Sequence, residues 1–295
     1  MQTNPLNNKP AVSIGMPVYN GEKYIREALD SLLAQTFTDF ELIISDNCSG
    51  DNTAKICQEY VTKNTRVRCI RQNKNIGASA NFEFVLNQAK GKYFMWAAFD
   101  DYWLPDFILE TVGGLEKQSS DVSCGFSFTK YKVVSRILPI LFSRRNLPSF
   151  DFINHTCKEY RVRAYSSMPF STHKDNMVYA LWKTLAIKEV INNIKNSRVK
   201  KCLIGASMNE YALSLYRGCY INKTLFIKKY KFIPPGHILV RLRQLINRYF
   251  FNKVDNTANV YSLDQHLTDL NYVLDLAGFE RKFSDEILKV NKKNR

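Results

Sequence analysis

The sequence predicts an α/β fold in which a mostly parallel, doubly wound sheet carries helices on its faces. Three observations predict it. Over the first 115 residues, short apolar runs alternate with stretches whose apolar residues recur at helical spacing. The connections between them are brief and polar, as crossovers between parallel strands require. Several apolar runs also stop on an acid or amide, which places chemistry beyond the carboxyl ends of strands, where open α/β sheets bind ligands. At 295 residues and 45% hydrophobic content the chain has ample material for such a core.

The elements follow in order. Ala11-Val-Ser-Ile-Gly-Met-Pro-Val-Tyr-Asn20 is an apolar strand that the sequence breaks at Pro17, with Asn20-Gly21 as a turn. Tyr24, Ile25, Ala28, Leu29, Leu32 and Leu33 then make one face of a helix over residues 22 to 34. Phe40 to Asp46 is a second strand ending on an acid, and the turn Asn47-Cys-Ser-Gly-Asp-Asn-Thr53 opens a helix holding Ile56 and Tyr60. Arg66 to Ile70 forms a third strand and Asn75-Ile-Gly77 a loop. Ser79 to Lys90 is a helix with Gly91 in the C′ position. Tyr93 to Phe99 is the fourth strand, long and aromatic enough to be covered on both faces, and it delivers Asp100 and Asp101. Pro17, Tyr19, Asp46, Asn75, Asp100 and Asp101 therefore gather along one edge.

Two adjacent carboxylates repel unless a cation or a set of donors holds them. A divalent cation shared with a diphosphate would do so, since Mg2+ or Mn2+ takes oxygen ligands and commonly uses one or two carboxylates plus substrate phosphates. Taken alone, Asp100-Asp101 reads as readily as a solvated turn and helix cap. The neighbouring motifs change the balance.

Met16-Pro-Val-Tyr-Asn20, Ile44-Ser-Asp-Asn-Cys-Ser-Gly-Asp51, Asn75-Ile-Gly77 and Phe99-Asp-Asp101, in that order and spacing, resemble the nucleotide-binding half of the family 2 glycosyltransferases. The resemblance covers residues 10 to about 115 and implies the GT-A (Rossmann-like) fold, inversion at the anomeric centre and a nucleoside diphosphate sugar donor. It implies that Asp46 accepts a hydrogen bond from the nucleobase, uracil being expected, and that Tyr19 lies against the base. Pro17, Asn20, Asn75 and Gly77 belong to the same donor-binding set. Asp100 and Asp101 would serve the ribose, the diphosphate and a Mn2+ or Mg2+ ion, Asp101 as the direct ligand. Asn47, where a second acid is frequent, and Phe99, where the first acid of an Asp-x-Asp triplet could stand, depart from the commonest pattern.

An inverting displacement needs a base beside the acceptor hydroxyl. In the resembling enzymes that acid opens a helix in the second half. The comparable stretch here is Leu203-Ile-Gly-Ala-Ser-Met-Asn-Glu-Tyr-Ala-Leu213, with Ser207 at the acid position. Glu210, one turn on, is the first candidate, balanced by a solvated helix residue; Asp175 is the second and His173 the third.

The charge is unevenly placed. Residues 1–120 hold 12 basic and 14 acidic groups, whereas residues 121–250 hold 23 basic and 6 acidic, a net +17. That segment suits an acidic partner: an anionic membrane, a lipid-linked acceptor or a nucleic acid. No zinc finger or RNP-type motif supports nucleic acid. Ile137 to Asn146, and Ile238 to Phe251 read as a basic amphipathic helix, favour the membrane surface or equally ordinary core packing. Ser262 with Gln265 caps a last helix that Gly278 ends. No apolar run reaches the roughly 20 residues of a membrane span, and the first ten residues lack a signal-peptide pattern. Seven cysteines without a Cys-x-x-Cys pair read as reduced core residues of a cytoplasmic protein, possible zinc ligation by His155 and Cys157 being a remote alternative.

The expected organisation is a nucleotide-sugar half over 1–120, an acceptor half over 121–232 and a basic helical extension over 233–295. The expected activity is transfer of a sugar to a saccharide or lipid-linked acceptor in cell-surface polysaccharide synthesis, at the inner face of the cell membrane. A sugar nucleotidyltransferase would want a glycine- and arginine-rich loop after the first strand, which Met16 to Gly21 does not provide. A catalytically silent relative acting as a binding subunit is a further alternative.

Overall fold

The computed structural model describes residues 9–134, 140–142, 150–168, 174–196, 206–231, 270–271 and 274–293. Strands β1 (Val12–Val18), β2 (Phe40–Asp46), β3 (Val67–Arg71) and β4 (Tyr93–Trp96) pair in parallel in the order β3-β2-β1-β4. Helices α1 (Ile25–Leu33), α2 (Thr53–Lys63) and α3 (Ala78–Asn87) provide the crossovers. This is the predicted α/β arrangement.

The sheet does not end at β4. After the two-residue β5 (Tyr102–Trp103) and helix α4 (Phe107–Glu116), the chain enters the long β6 (Val122–Val134), with β7 (Ile140–Phe142) on its edge. Helix α5 (Lys158–Ser167), a short 3-10 turn at Lys174–Tyr179, β8 (Leu181–Lys183), α6 (Thr184–Asn196), α7 (Ala206–Leu215), β9 (Arg217–Lys231) and α8 (Arg281–Lys293) follow. The continuous sheet runs β3-β2-β1-β4-β8-β6-β9-β5. β8 is antiparallel to both β4 and β6, while β6 and β9 run parallel.

Side-chain alternation explains why the parallel strands need cover on both sides. Val12, Ile14 and Met16 of β1, Leu42 and Ile44 of β2, and Met95 of β4 join Leu29, Leu32, Ile56, Phe107 and Ile108 in one apolar cluster. Ile43, Phe94 and Trp96 point to the other face, where α3, α5, α6 and α7 contribute Val85, Tyr165, Ile187 and Met208. Leu270, Leu274, Phe279 and Ile287 close that second cluster from the C-terminal end, and Gly278 breaks the chain there at φ +67°.

Three local expectations are corrected. β1 runs through Pro17 to Val18: β2 pairs with it to the end, but β4 last pairs at Gly15, so the missing N–H of Pro17 costs no ladder bond on the β4 side. β4 stops at Trp96, three residues short of Phe99, so Asp100 and Asp101 lie in a loop rather than at a strand end. Helix α3 ends at Asn87, before Gly91, whose φ is not positive. Gly91 is required for another reason. A Cβ there would stand 2.7 Å from the Ser13 backbone nitrogen, and its own N–H donates to Ser13 Oγ at 2.8 Å. The positive-φ glycine at this helix is instead Gly77, at φ +85°, just before α3.

Candidate active site

The polar ends of β1 and β2 are tied together before any ligand arrives. Asn20, itself at φ 52°, donates its N–H to Ser49 Oγ at 2.9 Å and accepts from the Gly50 N–H at 2.9 Å. This pins the β1 turn to the β2 loop. Asn47 Oδ1 accepts from the Ile76 N–H at 2.9 Å, while its Nδ2 donates to Asn75 Oδ1 at 3.0 Å and so reaches the next loop. Asn75 Oδ1 also accepts from the Gly77 N–H at 2.9 Å. Beneath them, Ser45 Oγ donates to Asn81 Oδ1 at 2.6 Å and Asn81 Nδ2 donates to the Ser45 carbonyl at 3.0 Å.

This neutral network frames a cavity of about 180 Å³ lined by Pro17, Tyr19, Asn47, Asn75, Asn81, Phe82 and Phe99 among others. It is smaller than the roughly 300–1,000 Å³ of a pocket for a whole drug-sized ligand and suits one ring system. Tyr19 is 47% exposed at its mouth.

Asp46 terminates β2 fully buried. Its Oδ1 accepts the Ser49 N–H at 3.0 Å. Its Oδ2 has no hydrogen-bond partner, because Arg71 Nε at 3.7 Å is close enough for attraction but too far for a bond. A buried carboxylate oxygen left in that state is costly unless something supplies a donor.

Asp100 and Asp101 part company. Asp100 is half-buried, whereas Asp101 is fully buried and its Oδ2 accepts from Lys228 Nζ of β9 at 2.7 Å. The ammonium also lies 4.5 Å from the centre of the Tyr179 ring. Burial works against its charge, but Tyr179, Asp101 and Asp100 outweigh that and hold the Lys228 pKa above its ordinary value. Nothing in the basic run Ile227-Lys-Lys-Tyr-Lys231 singled Lys228 out; strand alternation turns it inward, opposite the loop that carries the acids.

Among the described residues no group of three or more His, Cys, Asp or Glu side chains is placed to hold a metal. One carboxylate plus the phosphates of a substrate suffices for Mg2+ or Mn2+. The residues therefore fit a cation brought in with a diphosphate rather than a preformed cage: Asp100 is half-buried, whereas Asp101, expected as the direct ligand, is fully buried and paired with Lys228.

Of the candidate bases, Glu210 is not gathered with these residues. Glu210 is no solvated helix residue: it is 1% exposed, on α7, and its Oε1 accepts from Ser166 Oγ of α5 at 2.8 Å. It is absent from the cavity lining. The backbone of Asp175 lies in the Lys174–Tyr179 turn, which packs on α7 as well as on β4 and β6 and carries Tyr179 to Lys228. His173 and the side chains of Asp175 and Ser207 lie outside the described residues, as do 238–251 and the Ser262 cap. Cys157 Sγ lies 3.1 Å from Glu159 Oε2, and no zinc-binding group forms around His155 among the described residues.

Known proteins place this geometry. Putative teichuronic acid biosynthesis glycosyltransferase TuaG of Bacillus subtilis is 35% identical over 133 residues, 44% of this chain and 50% of TuaG. Chondroitin synthase of Escherichia coli is 28% identical over 267 residues, 85% of this chain and 38% of that protein. The chain thus spans half or less of these curated relatives. The structure of S. aureus TarS with UDP-GlcNAc superposes with TM-score 0.61 at 19% identity, covering 96% of this chain and 72% of that one. Mannosyltransferase PcManGT of Pyrobaculum calidifontis, with GDP-Man and Mn2+, gives 0.52 at 14% identity over 97% and 86%. At these identities the structural likeness is one of fold, and the fold is GT-A. The Glycosyl transferase family 2 profile matches residues 13–174, more than half of the chain and all four motifs at the polar edge, and the chain belongs to that family.

Proposed function

We propose that this chain transfers a sugar from a nucleoside diphosphate sugar, with inversion, to a saccharide or lipid-linked acceptor in cell-surface polysaccharide synthesis. The buried Asp46 Oδ2, one residue before Asn47 of the cavity wall, carries the reading: it is an acceptor without a donor, and the N3–H of uracil would supply one. Tyr19 would lie against the base, with Pro17, Asn20, Asn75 and Gly77 holding the loops around it. Phe99 leads from the cavity to Asp100, so ribose and diphosphate would run from the base towards the carboxylates.

Departure of the diphosphate develops negative charge on it and positive character at the anomeric carbon. A divalent cation held by Asp100 would take up part of that charge. The chain's own residues bind the base, orient the diphosphate and supply the proton acceptor for the incoming hydroxyl. For that acceptor Asp175 is preferred to Glu210, because its turn ends on Tyr179, which interacts with the acid pair, while Glu210 is buried against α5. In this scheme residues 1–120 hold the donor, 121–232 the acceptor, and 233–295 form a basic extension.

Relatives act on different sugars, so UDP is a proposal from the Asp46 chemistry and TarS's own bound UDP-GlcNAc. A panel of UDP-, GDP- and dTDP-sugars, scored for binding and hydrolysis with and without Mn2+, tests it. Uridine nucleotides are expected to bind and guanosine nucleotides not, while thymidine nucleotides, whose base carries the same N3–H, report recognition beyond Asp46; binding of none would remove the reading. In the same assay Asp175→Asn should abolish transfer while retaining donor affinity, and Glu210→Gln should retain transfer. The reverse pattern would assign the base to Glu210.

A further inference from the structure

Lys228 is brought to the acid pair from 127 residues away in sequence, its ammonium 2.7 Å from Asp101 Oδ2. A lysine kept only to neutralise Asp101 would be a poor use of a buried site. Replacing a buried ion pair by apolar side chains of similar size is often neutral or stabilising. An ammonium also has three donors. One is spent on Asp101 Oδ2, and Tyr179 is a second partner through its hydroxyl and the face of its ring, which leaves one. The remaining donor capacity sits beside Asp100, next to the residue that closes the cavity wall at Phe99.

The charges there point the same way. Asp100 and Asp101 bring two negative charges to a place where a base-bound nucleotide would lay two phosphates. Lys228 offsets one carboxylate, and a lysine is a compact point charge well suited to phosphate oxygens. Tyr179 and Asp101 fix its position from two sides, so the ordering cost of the long side chain is met before the ligand binds.

We propose that Lys228 is a donor-binding residue whose ammonium contacts the diphosphate, with Asp101 acting as the positioning residue that holds it rather than as the primary metal ligand. The proposal rests on the nucleotide-sugar function above. It implies that part of the diphosphate affinity survives without any divalent ion.

Calorimetry with UDP, UMP and uridine, each in EDTA and in Mn2+, tests it on wild type, Lys228→Met and Lys228→Arg. In EDTA, Lys228→Met should lose UDP affinity by roughly tenfold or more while uridine binding stays unchanged, and Lys228→Arg should recover most of it. Equal loss for UDP and uridine, or no loss for either, in a protein that melts like wild type would overturn the proposal while leaving the function intact. Wild-type UDP binding that vanishes in EDTA would overturn it too. Failure of wild type to bind UDP or uridine under any condition would overturn the function as well. If Lys228→Met does not fold, the Asp101→Asn/Lys228→Met pair removes both charges together, and the same difference between UDP and uridine decides.

Discussion

At the scale of single residues, the two acids that mattered most in the sequence have opposite environments. Asp46 is buried with one oxygen satisfied and one not, so its value lies in what it can still accept. Asp46→Ala is expected to weaken UDP binding by about 1.5–3 kcal/mol, the worth of a charged hydrogen bond. Uridine should lose as much and pyrophosphate nothing, by calorimetry; equal loss for pyrophosphate would make Asp46 a phosphate residue. Asp101 is buried with its charge matched by Lys228. Truncating one partner strands the other, so Asp101→Ala should cost about 3–5 kcal/mol in urea denaturation. The Lys228 pKa is raised in the folded protein. Its contribution to stability is therefore fully present below the unfolded lysine value of about 10.4 and is lost only as pH rises through the higher folded value. The cost of Asp101→Ala should accordingly be flat between about pH 6 and 9; a cost that varied across that range would mean another titrating group governs it.

At the scale of elements, backbone fit and carbonyl satisfaction decide. Gly91 abuts the start of β1, and Gly91→Ala would press a methyl to 2.7 Å from Ser13 N. Such crowding should lower stability by about 1–3 kcal/mol. Gly113 in α4 has nothing within 4 Å of a Cβ and serves as the control: Gly113→Ala should stabilise by about 0.4–1 kcal/mol. Urea midpoints for the two variants should move in opposite directions. Arg161 of α5 is 3% exposed, and its guanidinium donates to the carbonyls of Leu213 at 2.7 Å, His155 at 2.6 Å and Thr156 at 2.9 Å. It joins α5 to α7 and to the turn before α5. Burial pushes its pKa down. Arg161→Met would leave three carbonyls without that donor, and a loss of at least about 2 kcal/mol is expected; a smaller change would show that water replaces it.

At the scale of the whole molecule, the sheet carries the chain from the parallel strands β1–β4 through β8 into β6 and β9, and this brings Lys228 to Asp101. The charge is partitioned along the same path, with +17 net over residues 121–250. Among the described residues no helix is long and apolar enough to cross a membrane. Contact with an anionic membrane or lipid-linked acceptor should appear as co-sedimentation with anionic vesicles that falls as salt rises, because such attraction is screened within about 8 Å at physiological ionic strength. Replacing Arg241 and Arg248 by Glu should remove the salt-sensitive part and leave donor hydrolysis unchanged. Equal recovery on neutral and anionic vesicles would assign the charge to another partner.

Local signals were enough for the elements and for the polar edge of the sheet. Apolar periodicity marked β1 to β4 and α1 to α3 to within a few residues, and amides that follow those runs, Asn47 and Asn75, line the cavity. Each of these features depends on near neighbours in the chain: a side-chain period, a turn, a strand end. What tertiary structure decided depends on distant segments. Pro17 stays in β1 because β4 happens to stop pairing beside it, and Gly91 is needed because Ser13 approaches it. Glu210 is buried because α5 covers it. Asp101 faces an ammonium, rather than solvent, because β9 returns alongside β5 with Ile227 paired to Tyr102. Charge and burial at a site are sums over everything that packs around it, and a linear sequence shows only the contributions that are adjacent.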